Sequence, residues 1–263
     1  MKIGMSSSCL YPVYTEESLK KLGENGVKTA EIFFNSYGEL ESDFVKQLKA
    51  IKERYDMDII SVHPTFSLAE SFVYFSSYKR RYDEGMELYK RYAEIVCELG
   101  GKYIIMHGGK PNKVLTDTEY FDRFGEMNRI IKSMGAVILQ ENVVKFRAGN
   151  LDVLKNMSEY LGDDATFCLD IKQAIRGEYS PFDVLKVLKG KVKHLHVSDN
   201  LMPEKDCVLP LRGNFDFEKF FNTAKDEGFL GDAIVEVYSD CYKKEDELFS
   251  AYKKFREKFQ NNS

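Results

Sequence analysis

Six side chains of the kinds that bind metal ions or move protons each follow a short apolar stretch of this sequence. They are His63, His107, Glu141, Asp170, His196 and Glu236. Imidazole nitrogens and carboxylate oxygens, without a thiolate, suit Mn²⁺, Mg²⁺, Co²⁺ or Zn²⁺. Three carboxylates held close together repel each other strongly, and a divalent cation is the simplest group that stabilises them. The six residue types therefore predict a metal centre, provided that the fold brings them together.

Each of the six also has an ordinary structural interpretation when it is taken alone. A single histidine on an apolar strand is more often a hydrogen-bonded core residue than a ligand. A single glutamate at a strand end is as often salt-bridged as functional. His194 lies two residues before His196 and shares its face one layer deeper, so we interpret it as a buried structural or supporting histidine. The prediction of a metal centre therefore depends on all six converging.

Eight short apolar and β-branched stretches alternate with longer amphipathic ones along the chain. The short stretches are 2–5, 29–34, 59–63, 103–107, 137–142, 166–170, 192–199 and 233–238. Such alternation is typical of parallel strands that are joined by right-handed helical crossovers. Eight units in 263 residues predict an α/β protein, a (β/α)8 TIM barrel that forms one domain over residues 1–263. In that fold all the carboxyl ends of the strands meet at one rim, where active sites are built.

Strand alternation also divides the apolar residues between two faces. If the six polar residues face inward, the following residues face the barrel interior: Ile105, Val137, Cys168 and Ile234. The opposite face, under the helices, then carries Ile104, Met106, Leu169, Leu195 and Val235. Gln140 falls in this outward set, and we expect it to need a hydrogen-bond partner beneath a helix.

Composition restricts the classes of protein and partner. Lys plus Arg number 38 and Asp plus Glu number 42, so the net charge of −4 lacks the basic field of a nucleic-acid binder. Five cysteines without a C-x-x-C pair indicate a reducing compartment. The sequence shows no signal peptide and no apolar window of membrane-spanning length. We therefore expect a cytoplasmic protein with no nucleic-acid and no membrane partner.

The order and spacing of seven segments also carry a resemblance to a known family. The segments are 61–63, 106–109, 140–142, 169–170, 194–199, 209–217 and 235–236. With them the chain resembles the xylose isomerase-like TIM barrel superfamily, which includes AP endonuclease family 2, over nearly its whole length. Within the superfamily it is most similar to the sugar phosphate isomerase/epimerase and ketose 3-epimerase branch.

The resemblance implies a metal-dependent isomerase or epimerase of a ketose or polyol. It implies one divalent metal ion, with Mn²⁺ favoured over Zn²⁺, Mg²⁺ and Co²⁺. The implied ligands are Glu141, Asp170, His196 and Glu236. Glu141 and Glu236 would also act as acid and base on opposite faces of the metal-chelated substrate, through an enediolate. The partner is then a small sugar or polyol, and because barrels of this kind often pair, a homo-oligomer is an open alternative to a monomer.

A further set of residues would contact the substrate by the same resemblance. They are His63, His107, Gln173, Arg212 and Lys145. Gln173 stands where many epimerases carry a substrate-contacting histidine, so we expect an atypical substrate. Leu211 is another departure, because the family commonly has glycine at that position. The two cations of the set, with Arg147 and Lys172, could reach an anionic group. The sequence lacks a glycine-rich phosphate loop and leaves open whether the substrate is phosphorylated.

Three other functions remain open at this point. Endonuclease IV, a hydrolase of abasic DNA with three zinc ions, has all six polar positions, but Gln173 and the Asp-Cys-Val segment 206–208 replace two of its further histidines. An inosose-type dehydratase would use nearly the same residues as an epimerase. A barrel that binds a sugar or a metal without turnover is the third alternative.

Overall fold

Eight parallel strands form a closed barrel at the centre of the molecule. The computed structural model describes residues 1–64, 69–111 and 114–260. The barrel strands are β1 (Ile3–Ser6), β2 (Thr29–Phe33), β3 (Asp58–His63), β4 (Tyr103–Met106), β5 (Val137–Glu141), β6 (Phe167–Asp170), β7 (Val192–Val197) and β10 (Asp232–Val235). They are hydrogen-bonded in the order β1-β10-β7-β6-β5-β4-β3-β2, with β2 closing on β1. The prediction of a (β/α)8 TIM barrel is confirmed.

Helices cover the outside of this barrel. They are α1 (Thr15–Glu24), α2 (Ser42–Arg54), α3 (Glu70–Val73), α4 (Lys79–Glu98), α5 (Asp117–Ser133), α6 (Leu151–Leu161), α7 (Ile171–Arg176), α8 (Pro181–Val187), α9 (Phe217–Asp226) and α10 (Glu245–Phe259). Local sequence sets several starts: Thr116 and Glu119 form a capping box at α5, and Ser180 caps α8 with Pro181 at its first position. No helix in the described ranges is long and apolar enough to cross a membrane.

The strands separate two apolar layers, as alternation predicts. The main core between barrel and helices includes Ile104, Met106, Leu169, Leu195 and Val235. A smaller cluster of the barrel strands comprises Ile105, Leu139 and Cys168, with Tyr103 and Val137 packed against it. Ile234 is buried outside both groups. The hydroxyl of Tyr120 in α5 donates to Oε1 of Gln140 at 2.5 Å, so this outward polar residue has its expected partner under a helix.

A short hairpin is added at the carboxyl end of β7. Its strands, β8 (Asp199–Leu201) and β9 (Lys205–Val208), are antiparallel. The Asp199 carboxylate accepts hydrogen bonds from the backbone N–H groups of Gly213 and Phe215, which fastens the following loop to the rim. Within this loop Leu211 adopts a φ of 64°, a left-handed conformation that glycine favours. Leu211 therefore adopts the left-handed backbone conformation that a glycine at this position would favour.

Candidate metal centre and active site

The six polar residues converge at the carboxyl rim of the barrel. His63, Glu141 and Asp170 are the last residues of β3, β5 and β6, and His196 lies one residue before the end of β7. His107 and Glu236 directly follow β4 and β10. Four of the six, His63, His107, Glu141 and Glu236, line one cavity of about 440 Å³. The convergence that the metal prediction required is present.

Glu141, Asp170, His196 and Glu236 form a compact four-donor group. Nδ1 of His196 lies 3.0 Å from Oε1 of Glu141, 3.4 Å from Oε2 of Glu236 and 3.9 Å from Oδ2 of Asp170. One ligand atom from each residue lies within 4.8 Å of the others. Oε2 of Glu141 is buried and lies 3.0 Å from Nε2 of His107. Three carboxylates and one imidazole at these distances fit a divalent cation with oxygen and nitrogen ligands.

Lys172 lies against two of these carboxylates. Its ammonium contacts Asp170 and lies 2.5 Å from Oε2 of Glu236, and the residue is only 2% exposed. Burial alone would lower the pKa of Lys172, but the carboxylates of Asp170 and Glu236 raise it well above its ordinary value. Lys172 is therefore a buried, charged member of the site. The sequence made it a candidate cation for an anionic group, and in the structure it pairs with two carboxylates.

The carboxylates respond differently to this environment. Burial raises the pKa of Asp170 to about 7, with Glu141 and Glu236 adding repulsion. Burial also acts to raise the pKa of Glu141 and of Glu236, but the neighbouring histidines, and Lys172 beside Glu236, lower both pKa values below the ordinary value. Both glutamates are therefore held as carboxylates, the form that accepts a proton.

Glu31, in the middle of β2, is a site residue that sequence reasoning missed. Its carboxylate is buried and accepts hydrogen bonds from the hydroxyls of Ser61 at 2.8 Å and Ser6 at 3.2 Å. One of its oxygens lies 3.1 Å from Nε2 of His196 and 3.2 Å from Nε2 of His194. Glu31 thus orients the His196 ring, with Nδ1 toward the four-donor group. The available signal was a charged residue in the centre of an apolar strand.

His63, His107 and Glu141 form a second potential ligand group. The Nε2 atoms of the two histidines face each other at 3.0 Å, and Nε2 of His107 lies 3.0 Å from Oε2 of Glu141. Phe33 stacks on His63 with ring centroids 4.4 Å apart. Burial lowers the pKa of His107, whereas the Glu141 contact outweighs burial and raises that of His63. Two facing nitrogens need either a shared proton or a cation between them, because two lone pairs repel.

Three of the five predicted substrate-contact residues reach the cavity. His63, His107 and Gln173 line it, and the Gln173 side-chain oxygen accepts a hydrogen bond from the backbone N–H of Val144 at 3.2 Å. Lys145 and Arg212 are exposed and do not belong to its lining within the described residues. Arg147, also considered for an anion, is buried and bound to Asp117 and to the carbonyl of Leu115. The structure therefore brings the two histidines and the glutamine of the predicted set to the cavity, but neither Lys145 nor Arg212.

Aromatic side chains also line the same cavity. They are Tyr11, Phe33, Phe34 and Tyr238. Tyr11 is 60% exposed, and the ring of Tyr238 lies 5.6 Å from the Lys172 ammonium. A lining that combines aromatic rings with charged groups suits a ligand with C–H groups and several oxygen atoms.

Comparison with known proteins gives the wider relationship of this chain. A family model described as "Xylose isomerase-like TIM barrel" matches residues 19–258. Among curated proteins, the uncharacterized protein MJ1311 of Methanocaldococcus jannaschii is 23% identical over 250 residues, which cover 90% of this chain and 83% of that protein.

Solved structures share the fold at low sequence identity. A D-tagatose 3-epimerase-like protein has a TM-score of 0.76 and 21% identity, covering 98% of this chain and 99% of its own. The 3-keto-D-glucoside 4-epimerase YcjR from E. coli has a TM-score of 0.75 and 16% identity, covering 97% and 99%. The probable 3-DHS dehydratase AsbF from Bacillus anthracis has a TM-score of 0.72 and 14% identity, covering 97% and 98%. At these identities the likeness shows a common fold.

Proposed function

This chain belongs to the xylose isomerase-like TIM barrel family, and we propose that it is a divalent-metal-dependent isomerase or epimerase of a sugar or polyol. The observation that carries the proposal is the placement of Glu141 and Glu236. Both line one cavity, and both have an oxygen within 3.4 Å of Nδ1 of His196. Structural neighbours that include sugar epimerases and a dehydratase support this class of chemistry.

The four-donor group is where the proposed metal ion would bind. Its holders would be Glu141, Asp170, His196 and Glu236. A divalent cation there, with Mn²⁺ the first choice, would polarise a substrate carbonyl and stabilise the negative charge of an enediolate.

The two glutamates supply the acid and base of the proposal. One carboxylate accepts the proton from the carbon next to the carbonyl, and the other glutamate, once protonated, returns a proton to the opposite face or to the neighbouring carbon. Lys172 holds the Glu236 carboxylate in place through its 2.5 Å contact. His63 and His107 lie beside Glu141, where they would orient a substrate hydroxyl.

Exchange of carbon-bound hydrogen tests the proposal directly. The purified protein with Mn²⁺ is incubated in deuterated water with a panel of ketoses, aldoses and inososes, and deuterium uptake is followed by NMR. We expect uptake with at least one substrate and its loss in Glu141→Gln. The exposed Glu53→Gln is the matched control and should keep wild-type exchange. Absence of exchange over the whole panel, with metal bound, would contradict the proposal.

A dehydratase is a second candidate, because its chemistry begins with the same proton removal and a dehydratase shares the fold. The same assay separates the two functions. A dehydratase gives a product that has lost one water molecule, whereas an isomerase or epimerase gives a product of unchanged mass apart from deuterium.

The His63–His107–Glu141 group favours a third candidate, a multinuclear hydrolase of abasic DNA, since these residues could hold a further metal ion. The net charge of −4 and the residues Gln173 and Val208, which stand where that enzyme has histidines, argue against it. Metal analysis of protein prepared without chelator would give one ion per chain for the isomerase and more for the hydrolase. Metal-dependent cleavage of an abasic oligonucleotide would replace our proposal with this candidate.

A further inference from the structure

Two cysteines from distant parts of the chain meet beside the rim of the barrel. Sγ of Cys241 lies 3.5 Å from Sγ of Cys207 and 3.4 Å from the carbonyl oxygen of Cys207. Cys207 belongs to β9, and Cys241 belongs to the turn that follows β10. Both line a cavity of about 540 Å³ that shares Tyr238 with the cavity of the candidate active site. The two thiols are therefore close in space at the wall of a cavity, with Cys241 partly exposed and Cys207 7% exposed.

The surroundings make the two thiols chemically unequal. The S–H of Cys241 donates to Cys207, and this contact, with the charge of Lys172, lowers the pKa of Cys207 to about 7. The same contact raises the pKa of Cys241. A substantial fraction of Cys207 is then thiolate at neutral pH, and the thiolate is the form of cysteine that reacts with oxidants. Cys241 has its sulfur 3.5 Å away and is placed to react with an oxidised Cys207 and form a disulfide.

The other three cysteines lack this arrangement. Cys9 and Cys168 are buried within the barrel region, and burial raises the pKa of each to about 12. Cys97 is exposed on α4, and its nearest polar contact is the carbonyl oxygen of Met134. Among the five cysteines, only Cys207 and Cys241 have a thiol within hydrogen-bond distance, each being the partner of the other.

We infer that Cys207 and Cys241 are a peroxide-sensitive modification site that forms a reversible disulfide. The Cys207 thiolate attacks one oxygen of hydrogen peroxide, the O–O bond breaks, and a sulfenic acid and hydroxide form. The Cys241 sulfur then attacks the sulfenic sulfur, the S–O bond breaks, and the second oxygen leaves as water with the thiol proton. Two thiols are oxidised by two electrons, and one peroxide is reduced to two waters.

The disulfide requires the sulfur atoms to approach by about 1.5 Å, since an S–S bond is about 2.05 Å long. It would join β9 to the segment after Glu236. These two segments are already linked, because Arg176 binds the Asp206 carboxylate and donates to the Tyr238 hydroxyl at 2.7 Å. The bond would therefore tighten an existing contact at the cavity wall.

Thiol counting and peptide mapping test the inference on the full chain. After treatment with a small excess of hydrogen peroxide, we expect the denatured protein to show three free thiols in place of five. Digestion without reductant should yield one linked pair of peptides, containing Cys207 and Cys241, that dithiothreitol separates. The control variant Cys97→Ser should form the same linked pair.

The two serine variants assign the roles. Cys241→Ser should leave a sulfenic acid on Cys207 that a dimedone probe traps, and Cys207→Ser should form no link and trap no dimedone at position 241. Cys207→Ala repeats the second experiment if the serine variant fails to fold. A wild-type chain that keeps five thiols, or one that is oxidised through Cys97 into a covalent dimer while the pair stays reduced, would overturn the inference.

Discussion

Nε2 of His196 lies 3.1 Å from a carboxylate oxygen of Glu31, and this contact leaves Nδ1 of the same ring facing the four-donor group. The two residues come from β7 and β2, which are three strand positions apart around the closed barrel. The carboxylate fixes the proton on the ring nitrogen that faces it, which is Nε2. The other nitrogen, Nδ1, then becomes a more basic ligand for a metal ion. Glu31 would therefore support the proposed metal site through the His196 ring.

Replacing Glu31 by Gln should weaken metal binding. We expect the dissociation constant for Mn²⁺ to rise by about 10- to 100-fold, because the His196 ring loses its anionic partner. Isothermal titration calorimetry on metal-free protein measures the change, with the exposed Glu53→Gln as the control. An unchanged affinity in Glu31→Gln would contradict the supporting role of this residue.

Replacing Lys172 by Met should destabilise the metal-free protein and favour metal binding. Removal of the buried ammonium leaves Asp170 and Glu236 without their cation, which costs about 3–5 kcal/mol of unfolding free energy. Urea unfolding with and without Mn²⁺ measures the unfolding free energy. We expect Mn²⁺ to restore much of the stability that the substitution removes. Lys186→Met, which breaks only an exposed pair with Asp183, should cost less than about 1 kcal/mol. Equal stability of the two metal-free variants would refute this prediction.

Glu70 should make the protein less stable as the pH rises above the acid range. Its buried carboxyl group accepts a hydrogen bond from the backbone N–H of Gly108, and burial raises its pKa to about 8. Between the unfolded value of about 4.3 and this pKa the folded state binds more proton, so stability falls with increasing pH across this window. Glu70→Gln should remove a decline of about 2–4 kcal/mol between pH 5 and pH 8.5. Denaturant unfolding at both pH values decides, and parallel curves for wild type and variant would contradict the prediction.

Gln140 should be costly to replace, although it lies in an apolar layer. Gln140→Leu leaves the Tyr120 hydroxyl and the carbonyl oxygens of Met106 and His107 without this partner. We expect a loss of about 1–3 kcal/mol in unfolding free energy. Tyr120→Phe should cost less, and the double variant should lose less than the sum of the two single changes, because the two groups bind each other. Additive losses would show that the pair does not interact.

The barrel and its main polar residues could be predicted from the sequence alone. Strand side chains alternate with a period of two, so the position of His63 or Glu141 at the end of an apolar stretch reports both its face and its end of the barrel. Alternating strands and helices give parallel crossovers, which place all such ends at one rim. The unusual polar residue Gln140 and its need for a partner follow from the same period.

The contacts that give the rim its chemistry were decided only by the tertiary structure. Lys172 pairs with a second carboxylate instead of water because the fold brings Glu236, 64 residues further along the chain, next to it. Lys145 follows barrel strand β5 and Arg212 follows hairpin strand β9, and both are exposed.

Glu31 and the Cys207–Cys241 pair have the same origin. Barrel closure through β1 and β10 brings β2 within three strand positions of β7, and the hairpin after β7 lies against the turn after β10. These partners therefore meet although neither local period nor composition links them. The sequence by itself determined which residues could do chemistry and on which face of a strand they lie. Only the closed barrel decided their partners, because burial, distance and charge at a rim depend on strands that are remote in sequence.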